Sequence, residues 1–156
     1  MTFYSRKRNR LKNYDYSTEN YYFITICVYE KKCIFGKPEQ LNSVGKVVEY
    51  CIDKIPEKYP GVIVDNYIIM PNHIHLILAL QKKENDSYMP NISHVVGQFK
   101  MSVTKQIRKL NSIYPVWQRS FYDRVIRNQR EYEKIWNYVE YNDQKWMEDC
   151  FYPEKK

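Results

Sequence analysis

Residues 62–80 read VIVDNYIIMPNHIHLILAL, and this stretch decides the fold. Val62 to Met70 is dense in β-branched side chains, and His73 to Leu80 alternates, with Ile74, Leu76, Leu78 and Leu80 falling on one side at the strand period of two. Pro71-Asn72 interrupts the two runs with turn residues. The pattern predicts two adjacent strands whose second member buries its Ile/Leu face and turns His73 and His75 the other way.

Outward from this pair, helical and strand patterns alternate. Upstream, YYFITICVYE (21–30) reads as a strand, and NSVGKVVEYCIDKIPEKYPG (42–61) places Val44, Val47, Val48, Cys51, Ile52 and Ile55 at helical spacing before Pro and Gly stop it. Downstream, ISHVVGQFKMSVTKQIRKL (92–110) aligns Ile92, Val95, Val96, Phe99, Val103 and Leu110 along a helix. VWQRSFYDRVI (116–126) is expected as a strand, and QREYEKIWNYVEYN (129–142) as a helix with Tyr132, Ile135, Trp136 and Val139 as its core stripe. The polar stretch 81–90 joins two elements of one domain. The order βαββαβ with one further C-terminal helix predicts an α+β fold, an antiparallel four-stranded ferredoxin-like sheet with helices on one face.

Composition bounds what such a fold can serve. The 156 residues, 44% hydrophobic with only 4 Gly, fit one domain spanning 1–156 and exclude collagenous and low-complexity chains. No run approaches the ~20 apolar residues of a membrane span, and the first 20 residues are basic and Tyr-rich, so a cytoplasmic protein without membrane contact is expected. Cys27, Cys33, Cys51 and Cys150 form no CxxC pair and read as reduced structural thiols. A net charge of +7 points to a polyanionic partner. A basic arm at about 1–19 interleaves Arg6, Arg8 and Arg10 with Tyr4, Tyr14 and Tyr16, cations for phosphates beside rings for bases. Lys100, Lys105, Arg108, Arg119 and Arg124 offer further phosphate contacts, and Trp117 a stacking surface.

Two imidazoles on same-side positions of a rigid strand can reach one cation, although a bare His-x-His pattern is short and is met more often as surface or hydrogen-bonded histidines without metal. His94, on a predicted helix with no ligand-like neighbours, reads as structural. On the last helix Tyr138 and Asn142 are four residues apart and share a side beside the core stripe, whereas Tyr141 points away from the core. With 16 tyrosines in the chain, periodicity alone selects none of them.

At these residues the sequence resembles the single-tyrosine transposases of the HUH nuclease superfamily, especially the REP-associated tyrosine transposases and their insertion-sequence relatives. The resemblance runs through RLKNYDYSTENYYFITICVYEKKCIFG, YIIMPNHIHLIL, GQFKMSVTKQI and VWQRSFYDRVIRNQREYEKIWNYVEYNDQKW. It implies that His73 and His75 bind a divalent metal, that Tyr138 is the nucleophile and that Asn142 is a third ligand. Asp143 stands where related proteins often carry Pro. The implied activity is cleavage and rejoining of single-stranded DNA beside a hairpin through a 5′-phosphotyrosine link. Two imidazoles and an amide would be neutral ligands, leaving the whole charge of Mg²⁺ or Mn²⁺ to act on a phosphodiester. Insertion-sequence relatives act as dimers and REP-associated ones can act as monomers, so a homodimer stays open. Two other readings of the same residues are a non-catalytic binder of structured RNA or single-stranded DNA, and a hydrolase that activates water at the histidine pair.

Overall fold

The computed structural model describes residues 10–85, 87–110 and 113–153. A four-stranded antiparallel sheet is built from β1 (Asn20–Cys27), β4 (Val62–Met70), β5 (His73–Leu80) and β6 (Tyr122–Ile126), in the order β4-β5-β1-β6. Two-residue strands β2 (Gly36–Lys37) and β3 (Gln40–Leu41) pair separately as a small hairpin. The helices are α1 (Ser43–Asp53), the single turn α2 (Ile55–Lys58), α3 (Ile92–Leu110) and α4 (Gln129–Glu140). Counting the four long strands alone, the third and first lie inside and the second and fourth at the edges, which is the ferredoxin-like order expected.

The alternation of β5 sets the two layers. Ile74, Leu76, Leu78 and Leu80 join Ile24, Ile26 and the inner faces of α1 and α3 in the main core. On the opposite face Ile77 packs with Ile126, Val139 and the partly buried Phe23, Tyr132, Ile135 and Trp136, so the additional helix α4 covers the far side of the sheet by the stripe read from its sequence. Asn128 caps α4, its Oδ1 accepting from Glu131 N at 2.8 Å. The Tyr132 hydroxyl donates to Asp65 Oδ2 at 2.5 Å, and Asn66 Nδ2 donates to Glu140 Oε2 at 3.3 Å, so both ends of α4 are tied to β4 where its register with β5 slips. Those ties place Tyr138.

Several expected boundaries move for local reasons. The helix expected over 42–61 divides because Pro56 has no N–H to continue it, leaving α1 and the one-turn α2. Gly61 then turns into β4 at φ +100°, where a Cβ would lie 2.8 Å from the Gln81 carbonyl oxygen. β1 ends at Cys27 and β6 begins only at Tyr122; between them one isolated bridge joins Val28 to Trp117. α3 buries Ile107, while Leu110, expected in its stripe, is exposed. α4 stops at Glu140, and a 3-10 turn over Asp143–Glu148 follows.

Candidate active site

His73 and His75 occupy the first and third positions of β5, on the α4 side of the sheet, and both are buried. Their orientation is set by neighbours. Asn72 Nδ2 donates to the carbonyl oxygens of Lys31 at 3.1 Å and Phe151 at 2.8 Å, which turns Asn72 Oδ1 toward His73 Nδ1 at 2.8 Å. Because that oxygen can only accept, Nδ1 carries the proton and Nε2 presents a lone pair. Across the β1–β5 register Thr25 pairs with His75, and its Oγ1 lies 2.8 Å from His75 Nδ1. With Thr25 accepting there, His75 also presents Nε2.

The C-terminal segment closes the site. It carries Asp149 to within 3.7 Å of His73, Oδ2 to Nε2, and one ligand atom from each of His73, His75 and Asp149 lies within 4.8 Å of the others. The Phe151 ring packs on the His73 imidazole at 4.5 Å and that of Trp146 at 6.0 Å. Asn142, just past α4, is also buried. His73 Nε2, His75 Nε2, Asn142 Oδ1 and Asp149 Oδ2 are all buried without a hydrogen-bond partner among the described residues. Lone-pair atoms buried without partners are costly alone, and the grouped atoms of His73, His75 and Asp149 fit a cation. The donor set of two imidazoles, an amide oxygen and a carboxylate suits a divalent ion, and the ion's identity is left open by it.

Electrostatics agree with neutral imidazoles. Burial drives the His73 pKa down to about 4, outweighing the upward pulls of the Asp149 carboxylate and of the nearby Asn142 amide. Burial also holds His75 well below its ordinary value, and the adjacent His73 adds to this. Between pH 6.5 and 4 the unfolded chain therefore binds protons that the folded chain does not, so stability is full above 6.5 and is lost as pH falls toward 4. In EDTA, the melting temperature is expected to drop between pH 7.5 and 4.5, and to drop less for His73→Gln; equal slopes would show that His73 is not buried neutral.

Tyr138 stands at the edge of this cluster, its ring 5.3 Å from that of His75 and 6.1 Å, edge-on, from Phe23, and 46% of its surface is exposed. Partial burial raises its pKa, as do Asp149 and Cys150, while the nearby Asn142 amide lowers it. The amide of Asn142 thus sits between metal-type ligands and the tyrosine. Tyr141 is exposed.

The structure brings together His73, His75, Tyr138 and Asn142, and adds Asp149, Asn72 and Thr25, which the sequence pattern did not single out. The expected donor set is wholly neutral, whereas a cation held by this cluster would meet the negative charge of Asp149 as well. The basic residues are dispersed. Trp117 is not a stacking surface: it is only 8% exposed, packs on Phe35 and Phe99, and donates Nε1–H to the Lys100 carbonyl at 3.2 Å. Lys100 donates to the carbonyls of Gln118 and Ser120 at 3.0 and 2.8 Å, so its ammonium braces the chain before β6. Arg10 stacks over Phe121 at 4.0 Å with Nε on Ser93 Oγ at 2.8 Å, Arg108 lies over the Tyr114 ring at 4.8 Å, and Arg124 pairs with Glu131. Lys105 lines a hollow between α1 and α3 on the other side of the sheet, and Arg119 is exposed. Tyr16, read as part of a stacking arm, is in the core against Tyr14 and Tyr22. Arg6 and Arg8 lie outside the described residues.

Comparison with known proteins fits this arrangement. The family described as "Transposase IS200 like" matches residues 15–142. A Haemophilus influenzae protein without an assigned activity is 35% identical, over 94% of this chain and 93% of its own. A second H. influenzae protein, named as a REP-associated tyrosine transposase, is 24% identical over 85% of this chain and 76% of its own. Among solved structures, one described as a REP-associated tyrosine transposase bound to a REP hairpin superposes with a TM-score of 0.66 at 19% identity, covering 87% of this chain and 73% of that one. A protein described as a transposase from Deinococcus radiodurans gives 0.51 at 14% identity, covering 84% of this chain and 96% of that one. No helix among the described residues is long and apolar enough to cross a membrane. With a family match extending over most of the chain, through both histidines, Tyr138 and Asn142, this protein is a member of the IS200-like transposase family.

Proposed function

We propose that this transposase is a metal-dependent endonuclease and strand transferase for single-stranded DNA, acting beside a hairpin through Tyr138. The observation that carries the reading is the convergence of three buried ligand atoms, from His73, His75 and Asp149, with the buried, unpartnered Asn142 Oδ1 also present, beside a half-exposed tyrosine. A divalent cation held by His73, His75 and Asp149, with Asn142 adjoining, would supply Lewis-acid polarisation of a phosphodiester. Mn²⁺ accepts imidazole more readily than Mg²⁺ does, so Mn²⁺ is expected to serve at least as well in vitro.

The residues of the chain divide the remaining work. Tyr138, on the open side of the cluster, attacks phosphorus: its Oη loses a proton and forms the O–P bond, the bond from phosphorus to the 3′ oxygen breaks, and that oxygen leaves with a proton as a 3′-OH. The 5′-phosphotyrosine link retains the bond energy, and attack by another 3′-OH reverses the step without ATP. Asn142 orients the Tyr138 hydroxyl and favours its ionised form. Asn72 and Thr25 hold the two imidazoles with Nε2 inward. Leaving one side of the site open suits an unpaired strand that can bend into it.

The relative bound to a REP hairpin supports a hairpin with an unpaired flank as the substrate, and short inverted repeats beside the gene are the sequences to test. Labelled single strands carrying such a repeat are expected to be cut in Mn²⁺ or Mg²⁺ and to give a covalent protein–DNA band on denaturing gels. The same sequence as a continuous duplex is expected to remain intact. Efficient duplex cutting, or cutting with no covalent band, would replace this reading with metal-activated water.

A further inference from the structure

Apart from Thr25, which holds His75, the β1–β6 half of the face bearing the histidines is not used by any step above. α4 lies over β4 and β5, and beside it a cleft of about 530 Å³ opens over the other two strands, lined among others by Phe23, Thr25, Tyr122, Arg124 and Arg127. Register fixes the rows on this face. Thr25 lies between His75 and Tyr122, Phe23 lies between Ile77 and Arg124, and Tyr21 lies opposite Ile126. At ~4.8 Å per strand, Tyr122 is roughly 10 Å across the sheet from His75. A second hollow of about 300 Å³, with Tyr21 on its wall, lies at the start of α4, and Arg127 lines both. The two hollows form a track along β6, about 13 Å for its five residues, that begins beside the Tyr138–Phe23 contact.

The lining has a consistent chemistry. Tyr122 and Tyr21 are exposed large rings in a position to stack, and Arg124 and Arg127 are exposed cations. Two acids lie close by: Asp123 also lines the cleft, on the row that pairs with Ile24 and faces Tyr16 and Arg10 on the other side of the sheet, and Glu131, in the first turn of α4, holds Arg124. Rings and guanidinium groups along a floor about 10 Å wide fit unpaired nucleotides, whose ring faces are free, and not a duplex, whose bases are already stacked on one another. We propose that this groove seats the unpaired strand leading away from the phosphate at Tyr138, with bases on Tyr122 and Tyr21 and phosphates on Arg127 and Arg124, and that Glu131 competes with the DNA for Arg124. The inference rests on the nuclease reading for where the phosphate lies and adds the path of the strand.

Its test needs no chemistry, so it stands apart from that reading. Fluorescence anisotropy in EDTA compares labelled dT12 with a blunt hairpin that has no unpaired tail. Tyr122→Ala and Arg127→Glu are each expected to weaken dT12 binding about tenfold and to leave the hairpin within about twofold. Glu131→Gln is expected to tighten dT12 about threefold by releasing Arg124 and removing one negative charge. Arg127→Lys is expected to restore most of the binding lost in Arg127→Glu, which a merely misfolded variant would not allow. No dT12 binding by the wild type, unchanged dT12 binding in both weakening variants, or equal losses on the two probes would overturn the groove. No response to Glu131→Gln would overturn the competition. If the variants behave as expected but wild type forms no covalent adduct, the groove stands and the phosphotyrosine reading falls. If wild type forms the adduct but the variants bind dT12 normally, the phosphotyrosine reading stands and the groove falls.

Discussion

Tyr138→Phe is expected to abolish both the cleavage product and the covalent adduct while leaving folding and hairpin binding unchanged. The substitution removes one oxygen. The ring, with its edge contacts to Phe23 and His75, remains, and the residue is about half exposed, so loss of the hydroxyl leaves the packing in place. A group that only positions substrate gives a graded rate loss, whereas deleting the atom that forms the new bond removes the pathway. Tyr141→Phe, altering an exposed ring three residues further on, is expected to retain full activity. Asn142→Ala is expected to fall between them, because the amide adjusts the Tyr138 hydroxyl and adjoins the ligand cluster without forming a bond to phosphorus. Denaturing gels with end-labelled DNA and peptide mapping of the adduct decide the matter. Mapping to another tyrosine, or residual adduct in Tyr138→Phe, would remove the assigned nucleophile whatever the fold.

The parts of this site that were legible in the sequence are those carried by regular periodicity. The period of two in HIHLILAL put both imidazoles on one side of β5, because a strand whose Ile/Leu face is buried has no freedom to turn them elsewhere. The stripe of α4 was legible for the same reason, and Tyr138 followed as a residue beside it. Asn142 was placed near the site but on the wrong element. It lies past the helix end at Glu140, and its backbone still carries an α-type φ/ψ of −64°/−33°, which keeps the four-residue offset from Tyr138.

What was not legible came from long-range contacts without period. Asp149 reaches His73 from a 3-10 turn and a bend, and in the sequence it is one of two adjacent acids, Glu148 and Asp149, with nothing to distinguish them. Asn72 looked like half of a Pro-Asn turn. Its actual use, an amide that reads Lys31 O, Phe151 O and His73 Nδ1 at once, depends on two segments 41 and 79 residues away. Thr25 could have been found by pairing β1 with β5, but only once their register was known. Trp117 failed in the opposite direction. An aromatic flanked by Gln118 and Arg119 reads as a surface ring, yet its bridge to Val28 turns it inward against Phe35 and Phe99. Single aromatic residues in irregular segments are decided by tertiary packing, which composition does not encode.

The ligand cluster predicts opposite signs for one substitution with and without metal. In the metal-free protein the Asp149 carboxylate faces a lone pair on His73 Nε2 at 3.7 Å, with no proton between them while His73 is neutral. Asp149→Asn exchanges that carboxylate for an amide able to donate to Nε2, a gain of about 1 kcal/mol, so in EDTA its melting temperature is expected to rise by roughly 2–4 °C. With Mn²⁺ the order reverses. The wild type is expected to gain stability in proportion to metal occupancy, about 2.7 kcal/mol at a hundredfold excess over Kd. Asp149→Asn is expected to bind Mn²⁺ roughly 10- to 100-fold more weakly for loss of the charged ligand, and His73→Ala or His75→Ala is expected to show no shift at all. Mn²⁺ titrations followed by thermal melting and by the loss of the free-ion paramagnetic resonance signal read both arms without any cleavage assay. Unchanged Mn²⁺ affinity in Asp149→Asn would reduce this carboxylate to a neighbour of the site, and a normal shift in either histidine variant would remove the metal assignment altogether. The expected crossing of the two curves follows from a pocket whose unpaired atoms lower stability until a cation joins them, which is the physical reason four polar atoms can be buried here without hydrogen bonds.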